Sequence, residues 1–302
     1  MSTDADQIYQ MLFEREVVSS DEIVAVVRSV LGRDVSRDYA FRRYATPLIR
    51  SGKLRRIRRG LYYAPDNRRP YANTDLVACS LRKSAFLGYQ DAAELWGAVY
   101  FMTTSRVKVC VSRKDRFKPF IYGPYEYIPV IVRDFSSVVA SKKGRGLKKE
   151  VRLTNRLRTF IDCVKRPDLV GGWGGVYNTL GRLRGVDLDQ LREEVIRSGN
   201  QMLIRKVGMI LELVGNDFAR FDEAKLNEVL DDLERRVTSR PMRLTNCEYE
   251  IRFNEPWLRD LRWNLYRPPR FEVIVRGRVA MDDPIMGLWE DRLPKSMRPG
   301  SA

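Results

Sequence analysis

Apolar residues recur at helical spacing from the N-terminus onward. Ile8, Met11 and Leu12 fall at i, i+3 and i+4 and predict a first short helix. Ser19-Ser20-Asp21-Glu22 is a capping box, with Ser19 at the N-cap and Glu22 at N3. Ile23, Val26, Val27, Val30 and Leu31 then form one apolar face, and Gly32 closes that helix. A third helix is expected from Ser36. Its Ala40, Tyr44 and Leu48 face inward, while Arg37, Phe41, Arg42 and Arg43 point elsewhere. Pro47 has no amide hydrogen to give residue 43. Either the helix kinks there, or a new turn begins with Thr46 as cap and Pro47 at N1. After the stop at Gly52, Leu54–Ile57 and Leu61–Ala64 predict two strands joined by a turn at Arg58-Arg59-Gly60.

Pro65–Pro70 reads as a linker, and the pattern changes beyond it. Residues 85–97, AFLGYQDAAELWG, predict a turn and a short amphipathic helix. Val107, Val109 and Val111 alternate along a strand over Arg106–Val111. Ile121–Val132 predicts one or two strands around Gly123-Pro124, and Val151–Leu153 another. From Asn155 the spacing becomes helical. Asp187, Asn200 and Asp222 cap three helices with apolar faces: Leu188, Leu191, Val195 and Ile196; Leu203, Val207, Ile210, Leu211 and Val214, closed by Gly215; and Leu226, Val229, Leu230, Leu233 and Val237. Phe271–Val275 reads as a strand. The expected fold is α+β. A winged helix-turn-helix over 1–70 precedes a mixed α/β region over 71–240 whose later half is helical. Residues 241–302 form an aromatic-rich extension, with Phe253, Trp257, Trp263, Tyr266, Phe271 and Trp289, to which no function is assigned.

Charge changes this picture. The 302 residues hold 55 Lys+Arg against 39 Asp+Glu, a net charge of +16. Residues 37–69 contribute +9 and residues 142–158 contribute +7, so the remainder sums to zero. Of the basic residues 42 are arginine, which pairs bidentately with phosphate and with the guanine edge. A surplus concentrated in two windows points to a polyanion, nucleic acid first. Residues 171–240, with 11 basic and 12 acidic side chains, suit protein contact or dimerisation better.

The chain contains no histidine, which excludes a Ser-His-Asp triad, a Cys-His dyad and any His-ligated zinc. Cys79, Cys110, Cys163 and Cys247 form no CxxC pair. Gly171-Gly172-Trp173-Gly174-Gly175 lacks the lysine and Ser/Thr of a phosphate loop and reads as the opening of a helix. Pro167-Asp168 is only a fragment of a nuclease pattern, and Asp162 suits a cap or a buried pair. No catalytic residue, cofactor or metal is expected. The acidic, polar start and the lack of any apolar run near ~20 residues predict a cytoplasmic protein with no membrane role.

Helices followed by a basic hairpin describe a winged helix-turn-helix, whose third helix enters the major groove while the hairpin contacts backbone or minor groove. The candidate DNA-binding residues are Arg37, Arg42, Arg43, Lys53, Arg55, Arg56, Arg58 and Arg59. A second basic patch comprises Lys142, Lys143, Arg145, Lys148 and Lys149. The expected partner is double-stranded DNA, as an operator in the form of an inverted repeat, bound by a dimer or by paired monomers. Two other classes share these features: a nuclease or defence effector targeted by the winged domain, and a scaffold with no DNA role.

The run TPLIRSGKLRRIRRGLYYAP resembles the N-terminal domain of AbiEi-type antitoxins from type IV toxin–antitoxin (abortive-infection) systems. GYQDAAELWG takes the place of that family's small-residue helix. VRLTNRLRTFIDCVKRPDLVGG and DLDQLREEVIRSGNQMLIRKVGMILELVG follow in the family's order, so the resemblance spans about residues 40–215. It departs in lacking histidine in the middle helix and in having no counterpart beyond roughly 240. The resemblance implies a winged-helix antitoxin that represses its own operon. It also implies a nucleotidyltransferase-like toxin, counteracted through the later domain.

Overall fold

The computed structural model describes residues 3–66, 70–98, 105–133, 135, 139–142, 149–219, 221–244, 257–268 and 271–276. The fold is α+β, with an N-terminal winged-helix arrangement, mixed sheets and a helical later half. It divides into two compact units, Met1–Asp162 and Cys163–Ala302.

In unit 1, α1 (Asp4–Arg15) buries Ile8 and Leu12. It leads to β1 (Val17–Ser19), a strand too short to show alternation in the sequence. α2 (Ser20–Leu31) begins on the expected capping box. Ser19 Oγ accepts the Glu22 amide at 3.1 Å, and the Ser19 amide donates to Glu22 Oε2 at 2.7 Å. α3 (Arg37–Ala40) starts where Ser36 Oγ accepts the Tyr39 amide. Over Phe41–Ala45 the helix widens into a π turn, the Thr46 amide donating to the Phe41 carbonyl, and it continues as α4 (Thr46–Arg50). Thr46 is thus helical and not a fresh cap. The wide turn moves the Pro47 ring away from the carbonyl it would strike in an α-helix. The extra residue also rotates the inward face. Ala40 and Ala45 are fully buried, and Phe41, expected to point away, packs half-buried against this core.

β2 (Arg55–Arg58) and β3 (Leu61–Tyr63) form the wing, and β1 completes an antiparallel sheet in the order β1-β3-β2. This sheet is covered on both faces. Val18 and Ala64 join the helical core, whereas Val17, Leu61 and Tyr63 join a second core with Leu76, Val109 and Leu153. The second core belongs to α5 (Thr74–Ser80), β4 (Phe86–Leu87), α6 (Tyr89–Leu95), β5 (Arg106–Val111), β6 (Phe120–Tyr122), β7 (Tyr125–Ile131), β8 (Val139–Lys142) and β9 (Val151–Thr154). Their six strands run in the order β6-β7-β5-β4-β9-β8, with β5/β7 and β4/β9 parallel. Residues 121–132 resolve into a hairpin turning at Gly123, where φ is +60° and a Cβ would lie 2.9 Å from the Tyr71 ring. α7 (Arg156–Lys165) follows, and its Asp162 is the buried partner of Arg158 at 2.7 Å.

Unit 2 contains α8 (Gly172–Arg182), α9 (Leu188–Arg197), α10 (Gln201–Phe218) and α11 (Glu223–Arg235). Asp187, Asn200 and Asp222 cap the last three, as their spacing predicts. The glycine run is the first turn of α8. α10 does not end at Gly215. The Leu226 side chain presses on that glycine so closely that a Cβ would lie 2.3 Å away, so Gly215 serves close helix approach. β10 (Met242–Arg243), β11 (Leu258–Asp260), β12 (Leu265–Arg267) and α12 (Phe271–Val275) complete the unit, the strands in the order β10-β12-β11. Phe271–Val275 is therefore helix, not strand. Glu272 pairs with Arg267 at 2.8 Å and with Arg276 one turn on at 3.1 Å, an i, i+4 contact that only a helix allows. A five-residue run with four apolar positions cannot distinguish the two by periodicity.

Two residues tie the described residues 238–244 and 257–265 to α10. Trp263 is fully buried, with its ring over Gly208 and its Nε1 donating to Glu212 at 2.8 Å. Arg205, also fully buried, donates to the carbonyls of Thr238, Arg240 and Asn264. The aromatic-rich segment is thus a structural closure of this unit as far as it is described. Phe253 and Trp289 lie outside the described residues. Among the described residues no helix is long and apolar enough to cross a membrane.

Candidate nucleic-acid interface

Seven of the eight candidate residues in the winged region are exposed: Arg37, Arg42, Arg43, Lys53, Arg55, Arg56 and Arg59. Arg37 stands at the start of α3, with its guanidinium 5.7 Å from the Phe41 ring centroid. Arg42 and Arg43 lie in the π turn, and Arg42 meets Asp38 at 2.8 Å in a solvent-exposed pair worth little in water. Lys53 covers the Tyr9 ring at 5.0 Å. Helix and wing are held in register by Phe41 and Tyr62, whose ring centroids are 6.0 Å apart.

Register decides where the wing arginines go. Arg55 opposes Tyr63, Arg56 opposes Tyr62, and a bulge at Ile57 places Arg58 opposite Leu61. Cross-strand neighbours share a face. Arg56 therefore lies with Tyr62 on the helix side, and Arg55 and Arg58 lie on the other. Arg58 is half-buried there, 4.6 Å from the Phe120 centroid and 5.7 Å from that of Phe117. Burial, reinforced by the charge of Arg82, lowers its pKa. It differs from the solvent-facing backbone contact expected of it, because the wing tip rests on the six-stranded sheet.

Arg37, Arg58 and Arg59 nonetheless open on one groove of about 870 Å³. The start of α2 and the Arg82-Lys83 turn after α5 also line it. Arg82 and Lys83 were not singled out by the sequence. They follow a helix the hydrophobic pattern did not reveal, and their only signal is two adjacent cations.

The second basic patch divides. Lys142 ends β8 opposite Val151, and Lys143, Arg145 and Lys148 lie outside the described residues. Lys149 is a clasp, with Nζ donating to the Val17 carbonyl at 2.8 Å and to Glu22 at 3.3 Å. Burial would raise the Glu22 carboxyl, but Lys149 and the Ser19 amide outweigh it and hold it below its ordinary pKa.

No family model matches the sequence, and no curated protein matches it. Among solved structures, the chain is similar to the crystal structure of the Rv2827c protein from Mycobacterium tuberculosis. The TM-score is 0.56 at 14% identity, over 95% of this chain and 96% of that one. This likeness extends over the full length and is one of fold.

Proposed function

We propose that the chain is a DNA-binding transcriptional regulator rather than an enzyme: an autorepressing antitoxin of a type IV system that counteracts a nucleotidyltransferase-like toxin. One observation carries the DNA-binding part. Arginines from the helix at Arg37–Arg50 and from the wing stand exposed, and Arg37 and Arg59 share a groove. In a winged helix these two elements enter the major groove and contact the backbone. Arg42 and Arg43 read base edges, while Arg55, Arg56 and Arg59 hold phosphates. The operator is bound by a dimer or by paired monomers, and the toxin is counteracted through the later region. The antitoxin role draws its support from the order of sequence segments over residues 40–215.

The test is a gel-shift or anisotropy titration of duplex DNA over a range of salt. Replacing Arg55, Arg56 and Arg59 with glutamate should weaken binding to all sequences and flatten the salt slope by ~0.9 for each phosphate no longer neutralised. An unchanged slope removes the wing from the interface. Failure of the unaltered protein to bind any duplex at low salt overturns the regulator.

A further inference from the structure

The groove contains a feature that a solvated surface does not require. Arg58, from the wing, and Arg82, from the turn after α5, converge on one aromatic floor. The Arg58 guanidinium carbon is 5.7 Å from the Phe117 centroid and that of Arg82 is 5.9 Å from it. Like charges at this range repel, and the charge of Arg82 lowers the Arg58 pKa, after burial itself. Among the described residues neither arginine forms an ion pair. Arg82 Nη1 donates to the Leu81 carbonyl at 2.8 Å, and Arg58 Nη1 is buried with no hydrogen-bond partner.

A second unpartnered group belongs to the same groove. Ser20 is 4% exposed, and its Oγ has no hydrogen-bond partner. That hydroxyl lies beneath the wing turn, 3.8 Å from where a Cβ on Gly60 would be. It sits in the first turn of α2, a 12-residue helix whose amide dipoles favour negative charge. The carboxylates bordering the groove include Glu22, held by Ser19 and Lys149, and Asp115, which accepts the Ser84 amide at 3.1 Å. Asp21 and Glu150 complete the four, against seven cations. A buried polar atom without a partner is destabilising, and two in one cation-rich groove mark a place where an acceptor is missing.

We propose that this notch binds a phosphate group, clamped between the Arg58 and Arg82 guanidiniums with the Ser20 hydroxyl as a third donor. A tetrahedral oxyanion matches the donor set. Two planar forks satisfy several of its oxygens, and a dianion or diester offsets the repulsion between the arginines. The phosphate is either a diester of a bound duplex or part of a free phosphorylated ligand. Only the first source rests on the regulator described above.

The experiment uses the full chain and two probes, inorganic phosphate by titration calorimetry and duplex DNA by anisotropy over a range of salt. The variants are Arg82→Ala, with Arg82→Gln as a second choice should the alanine form unfold, and Ser20→Ala. Arg82→Ala should weaken phosphate binding by about tenfold or more. If the source is DNA, it should also weaken binding to every duplex and lower the salt slope by ~0.9 without changing base preference. Weakened phosphate binding with unaltered duplex affinity assigns a free ligand and still supports the notch. Folded variants that change neither binding event overturn it. A protein that binds no duplex at all would sink the regulator and leave the phosphate titration to decide the notch.

Discussion

In unit 1 seven of the eight candidate cations around the α3–α4 helix and the wing stand exposed, whereas in unit 2 Arg205 is fully buried and Arg262 is surrounded by carboxylates. Arg262 meets Glu212 at 2.7 Å, Asp231 at 2.9 Å and Glu234 at 2.9 Å. Among the described residues Arg205 pairs with no carboxylate; its two Nη atoms donate to the carbonyls of Thr238, Arg240 and Asn264 and to the Thr238 hydroxyl, while its Nε has no partner. One residue type thus plays opposite parts. In unit 2 the charges of Arg205 and Arg262 are engaged in holding the fold, whereas around the α3–α4 helix and the wing of unit 1 seven of the eight candidate cations face solvent. The net charge of each segment already separates these roles, since residues 37–69 carry +9 while residues 171–240 hold 11 basic against 12 acidic side chains.

The most severe way to break the comparison is to treat a unit 2 anchor as removable. Trp263→Ala opens a void over Gly208 and should destabilise unit 2 by about 3–5 kcal/mol. Arg205→Met removes the guanidinium's hydrogen bonds to Thr238, Arg240 and Asn264 and should cost less, about 1–3 kcal/mol. Both are read by urea unfolding followed by circular dichroism, with a separate transition expected for each unit. Duplex affinity measured below the transition should be unchanged. Should Arg205→Met weaken DNA binding at full stability, arginine in unit 2 would not be structural and the contrast would fail.

A milder effect is expected in the helix of unit 1. Arg42→Ala or Arg43→Ala should leave the midpoint of unfolding almost untouched and relax preference by ~1–3 kcal/mol at one base pair. Competition binding with operator variants measures this. Weakening that is uniform across sequences would restrict both residues to phosphate contact and sharpen the division between helix and wing.

How much of this was legible depends on what carries each feature. Caps at Ser19, Asp187, Asn200 and Asp222 are local, because the accepting side chain and donating amide are three residues apart, so spacing alone reveals them. β1, β4 and α5 left no periodic signal. The strands have three and two residues, and α5 has seven. Gly215 looks like a stop in one dimension, and only the Leu226 side chain shows it to be a contact. Arg58 illustrates the same limit within the candidate interface. Strict alternation sets it beside Arg56, and a bulge that depends on tertiary packing turns it towards Phe120. Arg82 lies far from the wing in sequence, so no reading of either segment alone could place the two together.

The smallest effect, and the one that separates the units most cleanly, is expected from pH. In unit 1 burial pushes Asp75 up to about 6, helped by the charge of Glu94. Burial pushes Asp91 up to about 7 against the opposing charge of Lys108. Both carboxyls ionise near 4 in the unfolded chain. Between pH ~4 and ~7 the folded state therefore binds more protons, and the stability of unit 1 falls as pH rises through that window. In unit 2 the Glu272 carboxyl is held below its ordinary value, first by a hydrogen bond from Arg267. Its contribution is present above the unfolded pKa and is lost only as pH falls through the lower, folded one. Thermal unfolding between pH 5 and 7.5 should lower the midpoint of unit 1 by a modest amount, because partial solvent contact screens these groups, and leave unit 2 level. Asp75→Asn with Asp91→Asn should flatten the slope of unit 1. A unit 1 midpoint that rises over this range would mean that the two carboxyls are stabilised as anions, contrary to their burial.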